Sequence, residues 1–244
     1  MAFHYRTLGI ILKKRERGEA DQIFTVYTKD FGKLEILGKG IRKITSKLRP
    51  GIDTFYFSEL EFIQGKRYKT LTDASLIDRF EHTRQDLKRL AIAFKVVNVI
   101  DRLIQKQDPD QKTWSLFKEF FDKLNKLDSK ISNIGLIYYY FLWNLLSFLG
   151  YQIDLYNCVF CQKKLLPGKI YFSSKDGGLI CLKCFQRSSR FWDREIDSDI
   201  IKVLRMILKK NWDTFVRLRI DSSCQKTIEA ISKAFISSVL PPKF

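Results

Sequence analysis

Two close cysteine pairs, Cys158-Val159-Phe160-Cys161 and Cys181-Leu182-Lys183-Cys184, are the side chains best placed to do chemistry. Nineteen residues separate the pairs. With two residues between its members, each pair can turn both sulfurs inward from one tight knuckle. Two knuckles then offer four thiolates, a tetrahedral donor set that suits Zn²⁺. Lys163, Lys164, Lys169 and Lys183 flank the pairs and offset the surplus negative charge of zinc with four thiolates. Four protein ligands leave no open position, so one structural zinc per chain is expected rather than a catalytic one. A thioredoxin-type centre needs a single pair in a βαβ setting, which this stretch lacks. Cys224 stands alone and reads as a small buried apolar residue.

Other catalytic patterns are missing. His4 is followed by Tyr5-Arg6 and His82 by Thr83-Arg84, whereas a zinc deaminase needs Glu two positions after its His. Gly38-Lys39-Gly40 lacks the flanking spacing of a nucleotide-cradling loop, and no Gly-x-Ser-x-Gly elbow occurs. Glu19 with Asp21 is the best local acidic pair and reads as turn and strand-start chemistry. The expectation is a protein without enzymatic activity. A metal-dependent nuclease stays as an alternative, because sequence alone cannot group the scattered carboxylates.

Cations form the second pattern. The 244 residues carry 44 Lys plus Arg against 27 Asp plus Glu, net +17, which points to a polyanion partner. From Lys39 to Arg49 five cations, Lys39, Arg42, Lys43, Lys47 and Arg49, occur without an acid, in a Gly/Ser/Thr-bearing loop able to follow a phosphate backbone. Lys13, Lys14, Arg15 and Arg17 end the first strand, and Lys66, Arg67 and Lys69 surround a hairpin turn beside Tyr68. Convergence of these clusters on one face would make a groove for single-stranded nucleic acid, with Tyr56, Phe57 and Tyr68 either stacking bases or, as alternate barrel aromatics more often do, packing in the core. Arg187, Arg190, Arg194, Lys202, Arg205, Lys209, Lys210, Arg217 and Arg219 add a basic carboxyl end. An RNA-binding or ribosome-associated module is the other alternative, since charge alone does not tell RNA from DNA.

The elements that must position these groups follow from the hydrophobic pattern. Residues 1–80 read as five short strands: Leu8–Leu12, Gln22–Thr28, Lys33–Ile36, Thr54–Ile63 and Tyr68–Ile77. Their number and spacing fit a partly open OB-fold barrel. Beyond residue 80 the period becomes helical. Leu87, Leu90, Phe94, Val97 and Ile104 share one face, and Trp114, Phe117, Phe120, Phe121, Leu124 and Leu127 share the next. Ile131 to Ile153 holds 23 residues without charge, long enough to span a bilayer. Ser132, Asn133, Asn144, Ser147 and Gln152 interrupt it, and Tyr138–Tyr140 would sit away from the interface, so a buried helix capped by Asn133 is expected and no membrane partner. Ser198, and a residue within Asp221–Ser223, are candidate caps of two later helices. The fold class is therefore α+β and multi-domain: an OB-fold at 1–80, a helical domain from 81–153 and 191–244, and an inserted zinc element at 154–190. Met1-Ala2-Phe3-His4-Tyr5-Arg6 shows no apolar run or cleavage site, so a reducing cytoplasm is the expected compartment.

Taken together these stretches resemble the RecO family of bacterial recombination mediators. The likeness rests on Gly18-Glu19-Ala20-Asp21 with Thr25, Thr28 and Gly32, and on Gly38-Lys39-Gly40-Ile41-Arg42-Lys43 with Ser46-Lys47-Leu48. Leu149-Gly150-Tyr151 before Cys158, and Gly177-Gly178 before Cys181, carry it into the cysteine module. Gln162 departs from it, where the family often has Gly after the second Cys; Gly51-Ile52-Asp53-Thr54 departs as well. The resemblance implies an OB-fold, a helical domain and an inserted zinc element in a non-enzymatic, nucleoid-associated protein. It further implies binding of single- and double-stranded DNA, annealing of complementary strands, and work with RecR and single-stranded DNA-binding protein to help RecA load.

Overall fold

The computed structural model describes residues 3–65, 68–104, 107–128, 134–151, 153–187 and 194–240. Two compact units divide the chain, Met1–Asp128 and Ser129–Phe244.

In the first unit, polar–apolar alternation becomes a closed five-stranded barrel. Its strands are β1 (His4–Arg17), β2 (Asp21–Thr28), β3 (Gly32–Gly38), β4 (Phe57–Gln64) and β5 (Lys69–Asp78), in the order β1-β2-β3-β5-β4. A short parallel contact, Ile36 with Lys69 and Leu37 with Thr70, joins β3 to β5, and antiparallel pairing of β1 with β4 completes the ring. Ile11, Phe24, Val26, Leu34, Ile36, Leu60, Phe62 and Leu71 fill the interior. β1 serves two partners. His4–Ile10 pair with β4, Gly9–Arg17 pair with β2, and a register shift between Ile11 and Lys13 interrupts the β2 pairing. Such a bulge bends a strand and strengthens its twist. Gly32 ends the second turn at φ +63°, and a Cβ there would press on the Asp108 backbone, so both conformation and space require glycine.

Three helices complete this unit: α1 (Glu81–Gln85), α2 (Leu87–Leu103) and α3 (Gln111–Lys126). Asp86 and Asp110 cap α2 and α3, each accepting from two backbone N–H groups of the first turn. Burial raises the Asp110 carboxyl, but the Thr113 hydroxyl and the two N–H donors outweigh it and hold it below the usual carboxylate range. These helices belong to the same compact unit as the barrel. The reason lies in outward-facing barrel aromatics. Tyr27 meets Trp114 and Phe117 at centroid distances of 6.1 and 5.7 Å, and Phe55 meets Phe121 at 6.0 Å. The phase of α2 differs from expectation. Leu87 is 83% exposed and Phe94 54%, while Ile92, Ala93, Val96, Val97, Val99 and Ile100 are buried. Apolar residues cover more than half of this helix, so periodicity alone offered two faces.

In the second unit the uncharged stretch forms α4 (Leu136–Phe148), whose 13 residues are fewer than the ~20 a bilayer requires. No described helix is long and apolar enough to cross a membrane. Two of its buried donors are paired within this unit, while Asn144 Oδ1 finds no partner among the described residues. Trp143 Nε1 donates to Ser232 Oγ at 2.8 Å, and Asn144 Nδ2 donates to the Tyr140 and Ile207 carbonyls at 2.8 and 3.1 Å. Asn133, the expected cap, lies outside the described residues; Gly135 is the N-cap, without a side-chain bond. β6 (Ile170–Ser173), β7 (Gly178–Cys181) and β8 (Arg194–Ile196) form a small sheet in the order β7-β6-β8, with α5 (Leu182–Arg187) after β7. α6 (Ser198–Leu208) starts from Asp197, so Ser198 is its first residue rather than its cap. A short α7 (Trp212–Val216) follows, then α8 (Ser222–Val239), capped by Asp221 through the Cys224 N–H at 2.7 Å. Cys224 is half-buried at that helix start, not in a core.

Candidate metal centre and nucleic-acid interface

The cysteine module is built by backbone pairing. In the first knuckle Cys158 N–H donates to Lys163 O at 2.9 Å and Gln162 N–H donates to Cys158 O at 2.8 Å. Val159 N–H donates to Leu179 O at 2.9 Å, which ties this knuckle to β7. Gly178 makes the approach possible: a Cβ there would collide with the Val159 side chain and press on the Asp154 carbonyl. Gly177 turns the β6–β7 hairpin at φ +69°. Below the site, Tyr171 and Phe185 stack with centroids 3.6 Å apart and planes 3° from parallel.

These constraints bring the sulfurs of Cys158, Cys161, Cys181 and Cys184 within 4.8 Å of one another, with Cys161 and Cys181 4.0 Å apart. Tetrahedral zinc bonded to four sulfurs at about 2.3 Å has sulfur–sulfur edges of about 3.8 Å, so the donor set fits. Burial raises the Cys158 thiol, yet backbone N–H groups of Cys161, Cys181 and Phe160 and the Cys161 thiol bring it down to about 6. Cys184 is pushed up to about 12 by burial, by hydrogen bonding with the other three cysteines and by the charge of Cys158. One thiolate forms readily and opposes the next, which is the behaviour of a donor set that a cation completes. Held there, a metal would cross-link the two knuckles and leave no position for a substrate. Among the described residues no other group of three or more His, Cys, Asp or Glu gathers this way.

The expected DNA-binding residues sort into two groups. Lys14 on β1 and Arg42 and Arg49 on the loop line a cleft of about 660 Å³ with Gln22, Tyr56 and Ile44. Backbone bonds seat this loop: Arg42 N–H donates to Ala20 O at 3.0 Å, and Gly40 N–H donates to the Asp21 carboxylate at 2.8 Å. Asp21 therefore acts as a loop anchor, in keeping with a turn role. Lys14 bonds Asp53 at 2.6 Å and Arg42 pairs with Glu16 at 3.4 Å. Lys39, Lys43, Lys47 and Arg49 are exposed and make no ion pair among the described residues. The Arg84 guanidinium lies 5.1 Å from the centre of the Tyr56 ring.

Lys13 and Lys69 line a different cleft, also about 660 Å³, with Lys33, Glu35, Tyr68 and Asp101. Lys13 and Lys33 both pair with Asp101, at 2.6 and 3.3 Å. Arg15 pairs with Glu35 at 3.4 Å, and Arg17 sits 4.6 Å above the Tyr68 ring. Lys66 and Arg67 lie outside the described residues. Phe57, offered as a base-stacking residue, is 7% exposed and belongs to the core. Lys33 escaped sequence reading although it alternates with Leu34, which placed it on the polar side of β3. At the carboxyl end Arg205 is engaged internally: its guanidinium donates to Leu155 O at 2.6 and 2.9 Å and covers Tyr156 at 4.4 Å.

Comparison with known proteins adds two family matches. The profile described as Recombination protein O N terminal matches residues 1–80, and Recombination protein O C terminal matches residues 84–244. Relatives named DNA repair protein RecO align along nearly the whole length. One from Dehalococcoides mccartyi is 31% identical over 236 residues, 97% of this chain and 90% of its own. One from Desulforamulus reducens is 28% identical over 239 residues, 98% and 91%. One from Moorella thermoacetica is 29% identical over 237 residues, 97% and 86%.

Proposed function

This chain belongs to the RecO family of DNA repair proteins, and from that membership we propose that it is a recombination mediator. It binds single- and double-stranded DNA, anneals complementary strands, and assists RecA onto strands coated by single-stranded DNA-binding protein, together with RecR. The role is one of binding and positioning, without catalysis. The observation that carries the reading is the Lys39–Arg49 loop, anchored at Asp21 and Ala20, with four exposed cations free of ion pairs among the described residues. Two DNA strands repel each other, and fixed cations that screen phosphates allow close approach without reading sequence. Cys158, Cys161, Cys181 and Cys184 hold one structural Zn²⁺, and Lys13, Lys14, Arg15, Arg17, Lys39, Arg42, Lys43, Lys47, Arg49, Lys66, Arg67 and Lys69 contact DNA. The protein works in the cytoplasm at the nucleoid.

The deciding experiment is annealing of complementary oligonucleotides coated with single-stranded DNA-binding protein, in the absence of ATP. Duplex should form faster with this chain than without it. With about five phosphate contacts, binding to single strands should weaken with a log–log salt slope near −3.5. Replacing Arg42, Lys43 and Lys47 by Ala should weaken binding to all DNA sequences alike and reduce the slope by about 2. A flat salt response, or tighter binding of RNA in direct competition, would refute the reading. Strand cleavage on incubation with divalent ions would move the assignment to a nuclease.

A further inference from the structure

We propose that the β1–β2 hairpin is a partition between two separate single-strand tracks, one on each of its faces, so that this unit holds both partners of an annealing reaction at once. The inference rests on the DNA-binding reading and goes further by assigning the cations to different strands.

Strand geometry makes the division. Successive side chains of a strand point to opposite faces, and directly paired residues share a face. Lys13, Arg15 and Arg17 pair with Thr25, Ile23 and Asp21, whereas Lys14 and Glu16 pair with Phe24 and Gln22. Phe24 belongs to the barrel interior, so Lys14 lies on the side that opens at the barrel mouth, beneath the Lys39–Arg49 loop. Lys13 and Thr25 lie on the outer wall, in the cleft shared with Lys33, Tyr68 and Lys69. A basic run of four cations within five residues is thus dealt out to two surfaces.

Each surface repeats the same equipment. On the mouth side a cleft of about 660 Å³ carries Lys14, Arg42 and Arg49 with Tyr56, whose ring is covered by Arg84. On the wall side a cleft of about 660 Å³ carries Lys13, Lys33 and Lys69 with Tyr68, whose ring is covered by Arg17; Asp101 engages Lys13 and Lys33 there, so Lys69 and Arg17 are the cations offered to a strand. Cations beside an aromatic ring are the parts needed to hold phosphates and stack a base without sequence preference. Both clefts open to solvent, and the hairpin stands between them.

One strand threading both clefts over the hairpin end would meet carboxylates. Glu16 and Glu19 are exposed there, and Asp21 follows immediately. Glu16 is paired with Arg42, but Glu19 and Asp21 outnumber Arg17 at the tip, which disfavours a phosphate path across that edge and keeps each strand on its own side of the shared partition.

The test uses the full chain and two triple variants, Lys14→Ala/Arg42→Ala/Arg49→Ala for the mouth and Arg15→Ala/Arg17→Ala/Lys69→Ala for the wall. A labelled oligothymidine of about eight nucleotides, within the site size of one such barrel, is titrated to count strands bound per chain. Annealing of longer complementary oligonucleotides is timed in parallel. Unchanged thermal midpoints certify folding, since these side chains are exposed or half-buried. Each triple should bind one oligonucleotide fewer than the parent, keep measurable affinity for single strands, and anneal at least tenfold more slowly. The partition is overturned if one triple loses no bound strand, if either triple alone removes both, or if annealing survives either set unchanged. A parent chain that binds no oligonucleotide would instead bring down the DNA-binding reading itself.

Discussion

Gln162 carries a conflict at the level of one residue. It follows the second cysteine of the first knuckle with φ +57°, in the left-handed region that costs a residue with a Cβ about 1–2 kcal/mol. The resemblance marks this position as one where Gly is frequent, and the backbone angle explains why. Its side chain gives something back by donating to the Val159 carbonyl at 3.0 Å. Gln162→Gly should therefore leave the knuckle intact and stabilise the protein by up to about 1 kcal/mol, read as a higher denaturation midpoint. A lower midpoint would mean that the side-chain bond outweighs the backbone strain. Gly51 shows the reverse relation. Where the segment departs from the family pattern, a Cβ would run into the Ala74 carbonyl, so the residue is demanded by the neighbouring strand rather than by its own turn.

Between elements, charge does the fastening that apolar contact leaves undone. Near the end of α2, Asp101 takes Lys13 of β1 and Lys33 of β3. Burial raises this carboxyl, but the two ammonium groups outweigh it and hold it below the ordinary carboxylate value. A carboxyl with a depressed folded-state pKa contributes stability above its unfolded value and loses it as pH falls through the folded one. Asp101→Asn should thus be less stable than the parent at neutral pH. The gap should close in acid below the carboxylate range, as urea unfolding at a series of pH values will show. A gap that persists in acid would assign the loss to packing. Arg89 fastens another pair of elements: its guanidinium, in a residue 6% exposed, donates to the Asn125 and Leu127 carbonyls at the end of α3. That placement satisfies carbonyls that a helix end leaves without partners.

At the scale of the whole molecule, the two units rely on different sources of order. The first has a closed barrel and an aromatic helical cover, with no metal-type cluster among its described residues. The cysteine module of the second has a small apolar cluster of Cys158, Tyr171 and Ile180 with partly buried neighbours, to which a metal held by its four thiols would add a cross-link between the knuckles. With the proposed zinc bound, adding a chelator should abolish amide protection around residues 153–187 and leave the barrel strands protected, as hydrogen exchange can resolve. Metal release should also rise as pH falls, because protons compete for the thiolates. Barrel strands that lose protection together with the module would contradict this independence.

Much of this protein could be read from residue order. Five strands, the helical switch after residue 80 and the four-cysteine cluster all follow from local periodicity and spacing, which a neighbour in space does not alter. Asp221 as a cap was legible for the same reason, since a cap bonds its own first turn. What required tertiary structure was the assignment of faces. Leu87 and Phe94 looked like core on α2, but the helix is apolar over more than half its surface; Leu87 stays exposed, and Phe94 is 54% exposed although its ring meets Phe55 at 4.7 Å. Lys13 to Arg17 read as one basic run, whereas pairing with β2 sends alternate cations to different clefts. Lys33 and Arg84 joined those surroundings only when distant chain segments met. Sequence states which groups a segment carries; what each group faces depends on partners remote along the chain.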